Sequence, residues 1–248
     1  MSRKVLLIEP DYKNKYPPMG LMKLATYFRS RGDDVRYFKG DLKKLSAELL
    51  CEELLAKKSF REFRKYFPRL AEYIRTGRYA LIDSIPSFKN SSQKLILKEY
   101  RNRFRNGVFV KFDVIAITTL FTFHWRKTVD TINFSKKFCS EDGKMIVGGI
   151  AATILHEKIR EETGINPICG LLDKSRIIDK DNEIIIDELP LDYSILEEID
   201  YGYPMGNAYL AYMTRGCPRK CSFCAVPTLE PEYKDYIGLK NHIKETEA

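Results

Sequence analysis

The sequence lacks long hydrophobic runs, internal repeats and low-complexity segments. Its longest apolar runs, such as residues 5–8 and 114–117, are far shorter than the roughly 20 residues that cross a bilayer. The N-terminal residues also lack the apolar core of about 7–15 residues that a secretory signal contains. We therefore expect a globular protein with no membrane span, located in the cytoplasm.

Histidine and cysteine are scarce, and half of the cysteines fall in one short stretch. The chain has 3 His and 6 Cys. Cys51, Cys139 and Cys169 are far apart in sequence and are expected to be buried small hydrophobic residues. The other three lie within residues 217–224. This clustering favours metal binding in a reducing compartment over a disulfide framework.

The excess of positive charge belongs to one segment. The whole chain has a formal net charge of +8, whereas residues 41–111 alone contain 17 Lys and Arg against 8 Asp and Glu. Aromatic residues alternate with these cations, a pattern that fits an RNA-binding surface. The apolar residues also recur at helical spacing, which favours amphipathic helices with a buried aromatic face and a solvated basic face.

Short apolar runs alternate with helical patterns outside this basic segment. Strands are predicted at residues 4–10, 34–39, 112–119, 144–147 and 165–170, and helices at 19–31, 124–140 and 153–162. Such alternation predicts an α/β fold with a doubly wound parallel sheet. Sheets of this kind bind ligands at the carboxyl ends of their strands.

The same pattern divides the chain. Residues 1–172 are predicted to form one Rossmann-type domain, interrupted at about 41–111 by helices near 42–57, 60–75 and 92–105. The acidic, irregular segment 173–207 is predicted to be a linker. A further strand at 208–214 then leads into the cysteines, so residues 208–248 are expected to begin a second domain.

The spacing of Cys217, Cys221 and Cys224 lets one loop surround one metal centre. A structural zinc site normally has four protein ligands, usually as two separated pairs, and no second pair accompanies these three residues. Three thiolates on a four-iron cluster leave one iron open to another ligand. The spacing therefore favours a 4Fe-4S cluster over zinc.

The residues around these cysteines suit such a loop. Gly216 would allow the backbone to turn tightly. Arg215, Arg219 and Lys220 are expected to offset the negative charge of the cluster.

The run CPRKCSFC resembles the Cys-x3-Cys-x2-Cys motif of the radical SAM superfamily, including the aromatic residue before the third cysteine. The resemblance implies that the open iron binds S-adenosylmethionine, which one electron cleaves to a 5'-deoxyadenosyl radical. It implies that Phe223 lies beside the adenine and that residues 208–214 form the first strand of a partial (β/α) barrel. It also implies an electron donor such as a flavodoxin or ferredoxin; the substrate stays unknown.

Residues 1–172 resemble the cobalamin-binding-type, flavodoxin-like domain that precedes many such barrels. The resemblance rests on KVLLIEP, YPPMGLMKLATYFRSRGDDV, FDVIAITT and MIVGGIAAT, and LPLDYSIL resembles the following linker. The loop after the first strand, residues 9–13, has no histidine, so histidine ligation of cobalamin there is not expected. The alternative that the domain keeps this fold without cobalamin stays open. The cobalamin contacts that the resemblance implies are Thr118, Thr119, Leu120, Gly148 and Gly149.

Only 24 residues follow Cys224, whereas six barrel units need on the order of 180 residues. We therefore expect the N-terminal part of a radical SAM enzyme, with most of the barrel missing or supplied by a separate chain. The alternative is a non-catalytic binding module with a vestigial metal loop. A weaker alternative is an RNA-modifying methylthiotransferase-like enzyme, although that family places three further cysteines at spacings unlike those of Cys51, Cys139 and Cys169.

Overall fold

The computed structural model describes residues 2–83, 85, 91–206 and 208–234. The chain forms two compact units. The first unit consists of the described residues in 1–39, 112–133 and 139–248, and the second of those in 40–111 and 134–138. The second unit therefore spans nearly the same residues as the predicted basic insertion.

The first unit contains a parallel four-stranded sheet. Its strand order is β2-β1-β3-β4, which is the flavodoxin-like order and confirms the predicted α/β fold class. The polypeptide reverses its direction of winding between β1 and β3. The strands are β1 Lys4–Glu9, β2 Asp34–Lys39, β3 Phe112–Thr119 and β4 Cys139–Gly149.

Helices alternate with these strands and also build the second unit. The predicted helix at 124–140 ends earlier than expected, because β4 already begins at Cys139. The predicted helix at 153–162 is divided in two at Leu155. The α-helices are α1 Met19–Ser30, α2 Leu42–Ala56, α3 Phe67–Thr76, α4 Ala80–Asp83, α5 Ser91–Arg105, α6 Trp125–Ser135, α7 Ile150–Ile154, α8 His156–Thr163 and α9 Val226–Leu229. No helix among the described ranges is long and apolar enough to cross a bilayer.

Both faces of the sheet are covered. Val5 and Leu7 of β1 pack with α1 in the main hydrophobic core. Leu6 and Ile8, whose side chains point to the opposite face, are equally inaccessible to solvent. Burial on both faces explains why the central strands β1 and β3 are nearly continuous apolar runs rather than alternating ones.

The second unit buries its aromatic side chains. A 3-10 helix, Lys58–Tyr66, follows α2 and carries Phe60 and Phe63 inward. The helix predicted at 60–75 is therefore two helices, because Pro68 occupies the first turn of α3, where its missing N–H is tolerated.

The segment 173–207, predicted to be a linker, packs against the first unit. Its residues Ile178, Ile186 and Ile195 are buried in the same core as α1. Its acidic side chains form ion pairs with cations of the unit, including Arg29 with Asp192 at 2.6 Å. This segment is therefore part of the folded unit.

Two predicted strands do not form. Residues 208–214 have no strand partner within the described chain, and the backbone N–H of Leu210 donates to the Tyr193 hydroxyl instead. A single antiparallel bridge, Arg215 with Lys234, follows this segment. Residues 165–170 make one bond to β4, from Ile168 N to Val147 O, and the preceding Pro167 has no N–H to extend the ladder.

Candidate functional site

A cavity of about 810 Å³ opens at the carboxyl ends of β1, β3 and β4. It lies at the point where the winding of the sheet reverses, which is where open α/β sheets bind ligands. The loop before α1, including Tyr16 and Pro18, forms one side. Leu229 and Glu230, which follow the cysteines in sequence, form part of another. The lining is mainly apolar, as in most small-molecule sites.

The structure brings all five predicted cobalamin contacts to this cavity. Thr118, Thr119, Leu120, Gly148 and Gly149 all line it. The Thr119 side chain is fully buried, and its hydroxyl accepts from Ala152 N at 2.8 Å and donates to Gly148 O at 3.0 Å. That hydroxyl joins the ends of β3 and β4 to α7. Its hydrogen bonds are made to other groups of the protein.

The loop after β1 contains a tyrosine at its centre. Tyr12 is buried, its hydroxyl lies 2.5 Å from Thr128 Oγ1, and its ring stacks on His124 with centroids 5.5 Å apart. His124 therefore takes part in the aromatic packing of this loop.

Arg215 connects the start of the cysteine loop to the cavity wall. It is only 6% exposed, and its guanidinium pairs with Asp187 at 2.6 Å and Glu230 at 2.7 Å. The guanidinium also lies 3.4 Å from the centroid of the Tyr212 ring. Its charge is balanced by two carboxylates, and the expectation that Arg215 offsets the charge of a cluster stays a prediction. Arg219 and Lys220 are exposed.

Gly216 fixes the direction in which the cysteine loop leaves this anchor. Its φ of +67° is a left-handed value, and an added Cβ would lie 2.4 Å from Glu232 O. Its backbone N–H donates to Glu230 Oε2 at 2.6 Å. The predicted tight turn at Gly216 is therefore present.

Lys23 of α1 is a cavity residue that the sequence did not indicate. Its ammonium donates to the Asp187 backbone carbonyl and lies 3.2 Å from Asp187 Oδ1. Burial lowers the pKa of Lys23, which Asp187 partly opposes. Asp187 thus joins α1 to Arg215. The only signal in the sequence was a lysine within the apolar face of α1.

The three candidate cluster ligands are accessible but not gathered. Cys217 is exposed, Cys221 and Cys224 are half-buried, and Cys224 N donates to Cys221 O in a turn. Within the described residues, no three His, Cys, Asp or Glu side chains are grouped as a metal site. Phe223 is 90% exposed. The cluster ligands and the adenine contact remain predictions.

The scattered cysteines differ in their surroundings. Cys51 is buried, and burial raises its pKa to about 12. Cys139 is half-buried. Cys169 is exposed, contrary to expectation, because it lies in the irregular segment after α8.

A buried polar network lies at the carboxyl end of β1. The Lys39 ammonium is 3.1 Å from Glu9 Oε2 and donates to Asn14 Oδ1 at 2.7 Å. Asn14 donates in turn to Glu9 Oε1 at 2.9 Å. The hydroxyls of Tyr37 and Tyr203 both donate to Glu9 Oε2 and lie 2.6 Å from each other. Since Glu9 and Asn14 also line the cavity, this network fixes the position of one cavity wall.

This network predicts loss of stability at alkaline pH. Burial, with the nearby Glu9 carboxylate, raises the pKa of Tyr37 and Tyr203 above the ordinary 10.0. Above pH 10 the unfolded chain loses these protons while the folded chain keeps them, so the free energy of unfolding falls as pH rises. Each tyrosine contributes about 1.4 kcal/mol per pH unit to this slope.

The double change Tyr37→Phe with Tyr203→Phe is therefore expected to reduce the slope above pH 10 by about 2.7 kcal/mol per pH unit. The slope is measured by urea unfolding at a series of pH values, with the fluorescence of Trp125 as the signal. Trp125 is the only tryptophan of the chain. Tyr209→Phe, at a 77% exposed position, serves as the control. An equal slope in the double variant and the control would contradict the prediction.

No protein-family model matches the chain, and no curated protein matches it. Among solved structures, the fold is similar to the radical S-adenosylmethionine methyltransferase TsrM from Kitasatospora setae, a structure with cobalamin and a 4Fe-4S cluster bound, at 15% identity and a TM-score of 0.49. The match covers 100% of this chain and 45% of TsrM, so the chain spans less than half the length of that protein.

Proposed function

We propose that this chain carries the cluster loop of a radical SAM enzyme, attached to a flavodoxin-like unit that holds a second cofactor in its cavity. The proposal rests on the triplet Cys217, Cys221 and Cys224, with Phe223 before the third cysteine. Arg215, two residues before the triplet, lines the cavity and is held there by Asp187 and Glu230. A loop anchored in this way has a fixed starting point beside the cavity.

The donor set fits a 4Fe-4S cluster in residue type and spacing. None of the three thiols is buried, and Cys221 and Cys224 already share one turn, so closing the loop around a cluster requires no unfolding of the core. Cys217, Cys221 and Cys224 would hold the cluster, and the exposed ring of Phe223 would be free to face an adenine. When bound, the cluster supplies the electron that cleaves S-adenosylmethionine. A reduced flavodoxin or ferredoxin would deliver that electron.

The cavity supports a second cofactor of cobalamin type. Thr118, Leu120, Gly148 and Gly149 would contact it, because these residues line the cavity at the ends of β3 and β4. The side chain of Thr119 would hold the ends of β3 and β4 in place rather than contact the cofactor, since its hydroxyl is hydrogen-bonded to Ala152 and Gly148. The protein's own contribution is to orient the cofactor and exclude water from a largely apolar cavity.

A second candidate function is a non-catalytic binding module. The observation that favours it is that the three thiols are not gathered as a metal site within the described residues. In this case the cavity would still bind a ligand, but the cysteine loop would not hold a catalytic cluster.

Anaerobic reconstitution with iron and sulfide tests the cluster. We expect about four irons per chain, with the absorbance of a 4Fe-4S cluster. Cys221→Ala is expected to lose most of this iron, because two thiolates do not hold the cluster firmly. Cys169→Ala, at an exposed position outside the triplet, is the matched control and is expected to keep it. Full iron binding by Cys221→Ala would rule out the ligand assignment.

A cleavage assay separates the two candidate functions. The reconstituted chain is incubated with S-adenosylmethionine and dithionite, and 5'-deoxyadenosine is measured by chromatography. Its formation by the wild type but not by Cys221→Ala supports the radical SAM proposal. A stable cluster that gives no 5'-deoxyadenosine, and whose electron paramagnetic resonance spectrum in the reduced state is unchanged by S-adenosylmethionine, favours the binding module.

A further inference from the structure

The 3-10 helix Lys58–Tyr66 of the second unit carries three of its four cations in a straight row. A 3-10 helix has 3.0 residues per turn, so side chains three positions apart lie above one another. Lys58, Arg61 and Arg64 occupy one such row, and all three are exposed. Phe60 and Phe63 occupy another row and are 0% and 1% exposed. The helix therefore has one fixed apolar face and one accessible cationic face.

The cations of this row form no ion pair with a side chain that the structure describes. Lys58, Arg61 and Arg64 all lack such a partner there. Other cations of the second unit do have partners, as in the pairs of Arg75 with Glu72 and Arg103 with Glu53. Unpaired guanidinium and ammonium groups are free to bind an external anion.

The spacing of the row suits a repeating anion. With a rise of about 2.0 Å per residue, consecutive cations of the row lie about 6 Å apart along the helix. This is of the same order as the separation of neighbouring phosphates along a nucleic-acid strand. The buried Phe60 and Phe63 hold the helix in place, so binding costs little conformational entropy of the backbone.

We propose that this cationic row, Lys58, Arg61 and Arg64, binds the phosphodiester backbone of a nucleic-acid strand. The unit supports this electrostatically, because residues 41–111 carry 17 Lys and Arg against 8 Asp and Glu. Contacts of this kind are independent of base sequence and are sensitive to salt.

The burial pattern favours a nucleic acid over an anionic membrane. A helix that binds at a membrane surface inserts an exposed apolar face between the lipids. In this helix Phe60 and Phe63 face the interior of the unit and are unavailable for insertion. The exposed row offers charge alone.

The test is binding of the full chain to fluorescein-labelled oligouridine, measured by fluorescence anisotropy over a range of salt concentrations. The triple variant Lys58→Ala, Arg61→Ala, Arg64→Ala is expected to bind at least about tenfold more weakly at low salt. Loss of three phosphate contacts is also expected to reduce the slope of log K against log salt by about 2, at about 0.7 per contact for single strands.

The matched control removes three exposed cations elsewhere in the same unit, by Lys43→Ala, Arg78→Ala and Lys94→Ala. This control has the same net charge as the triple variant of the cationic row. It is expected to change the slope of log K against log salt by less than about 1. The charge-preserving triple Lys58→Arg, Arg61→Lys, Arg64→Lys is expected to bind as the wild type does. Circular dichroism confirms that each variant is folded.

Three results would overturn the proposal. The first is no binding of oligouridine by the wild type at low salt. The second is an equal loss in both alanine triples, which would show that net charge alone matters. The third is binding to phosphatidylserine vesicles, lost in the cationic-row triple, without binding of oligouridine. None of these results depends on a cluster, so they leave the radical SAM proposal to its own test.

Discussion

Replacing Glu9 with glutamine is expected to lower the free energy of unfolding by about 3–5 kcal/mol, because the change breaks a buried ion pair at one partner. The two carboxylate oxygens receive only donors: Asn14 at Oε1, and Lys39, Tyr37 and Tyr203 at Oε2. An amide in this place must turn its NH₂ group towards one of these donors. It would also leave the Lys39 ammonium, on a side chain that is only 1% exposed, without its counter-charge.

Urea unfolding followed by Trp125 fluorescence measures this loss, with Glu157→Gln as the control. Glu157 pairs with Arg160, and both side chains are 56% exposed, so its replacement is expected to cost less than about 1 kcal/mol. Adding Lys39→Met to Glu9→Gln removes both charges and is expected to cost less than the sum of the two single changes. A loss for Glu9→Gln as small as that of the control would show that the network does not hold the end of β1.

The central strands of the sheet could be predicted from the sequence because burial on both faces produces nearly continuous apolar runs. The strands β1, β2 and β3 begin and end close to their predicted residues, and β4 was predicted too short because its first residues, from Cys139, are polar and partly exposed. The cavity followed from the sheet, since alternating strands and helices bring the ends of β1, β3 and β4 to one edge.

Contacts between residues distant in sequence could not be predicted in this way. The periodicity of a segment indicates which side chains share a face, but it does not identify the partner of a charge. Asp187 lies 28 positions from Arg215 and 164 from Lys23, and nothing local in the sequence connects them. Residues 208–214 have the composition of a strand, yet a strand also needs a neighbour with which to pair.

Replacing Gly149 with alanine is expected to lower the free energy of unfolding by about 3–5 kcal/mol, from backbone strain and overlap together. Gly149 has φ 107° and ψ −170°, a region that is essentially confined to glycine. An added Cβ would lie 2.5 Å from Thr119 O and 3.0 Å from Thr119 N. The overlap involves backbone of β3, which cannot move aside as a flexible side chain could.

Gly164→Ala is the control for a left-handed glycine without overlap. Gly164 has φ +64°, and an added Cβ would have no atom within 4 Å, so this change introduces only the strain of the left-handed region and is expected to cost about 1 kcal/mol. The difference between the two variants, measured by urea unfolding, is then the overlap with β3 at the cavity together with the greater strain of the conformation of Gly149. Equal losses would mean that the ends of these strands can separate freely. In that case the hydroxyl of Thr119, which joins them through Gly148 O, would not hold the cavity wall rigid.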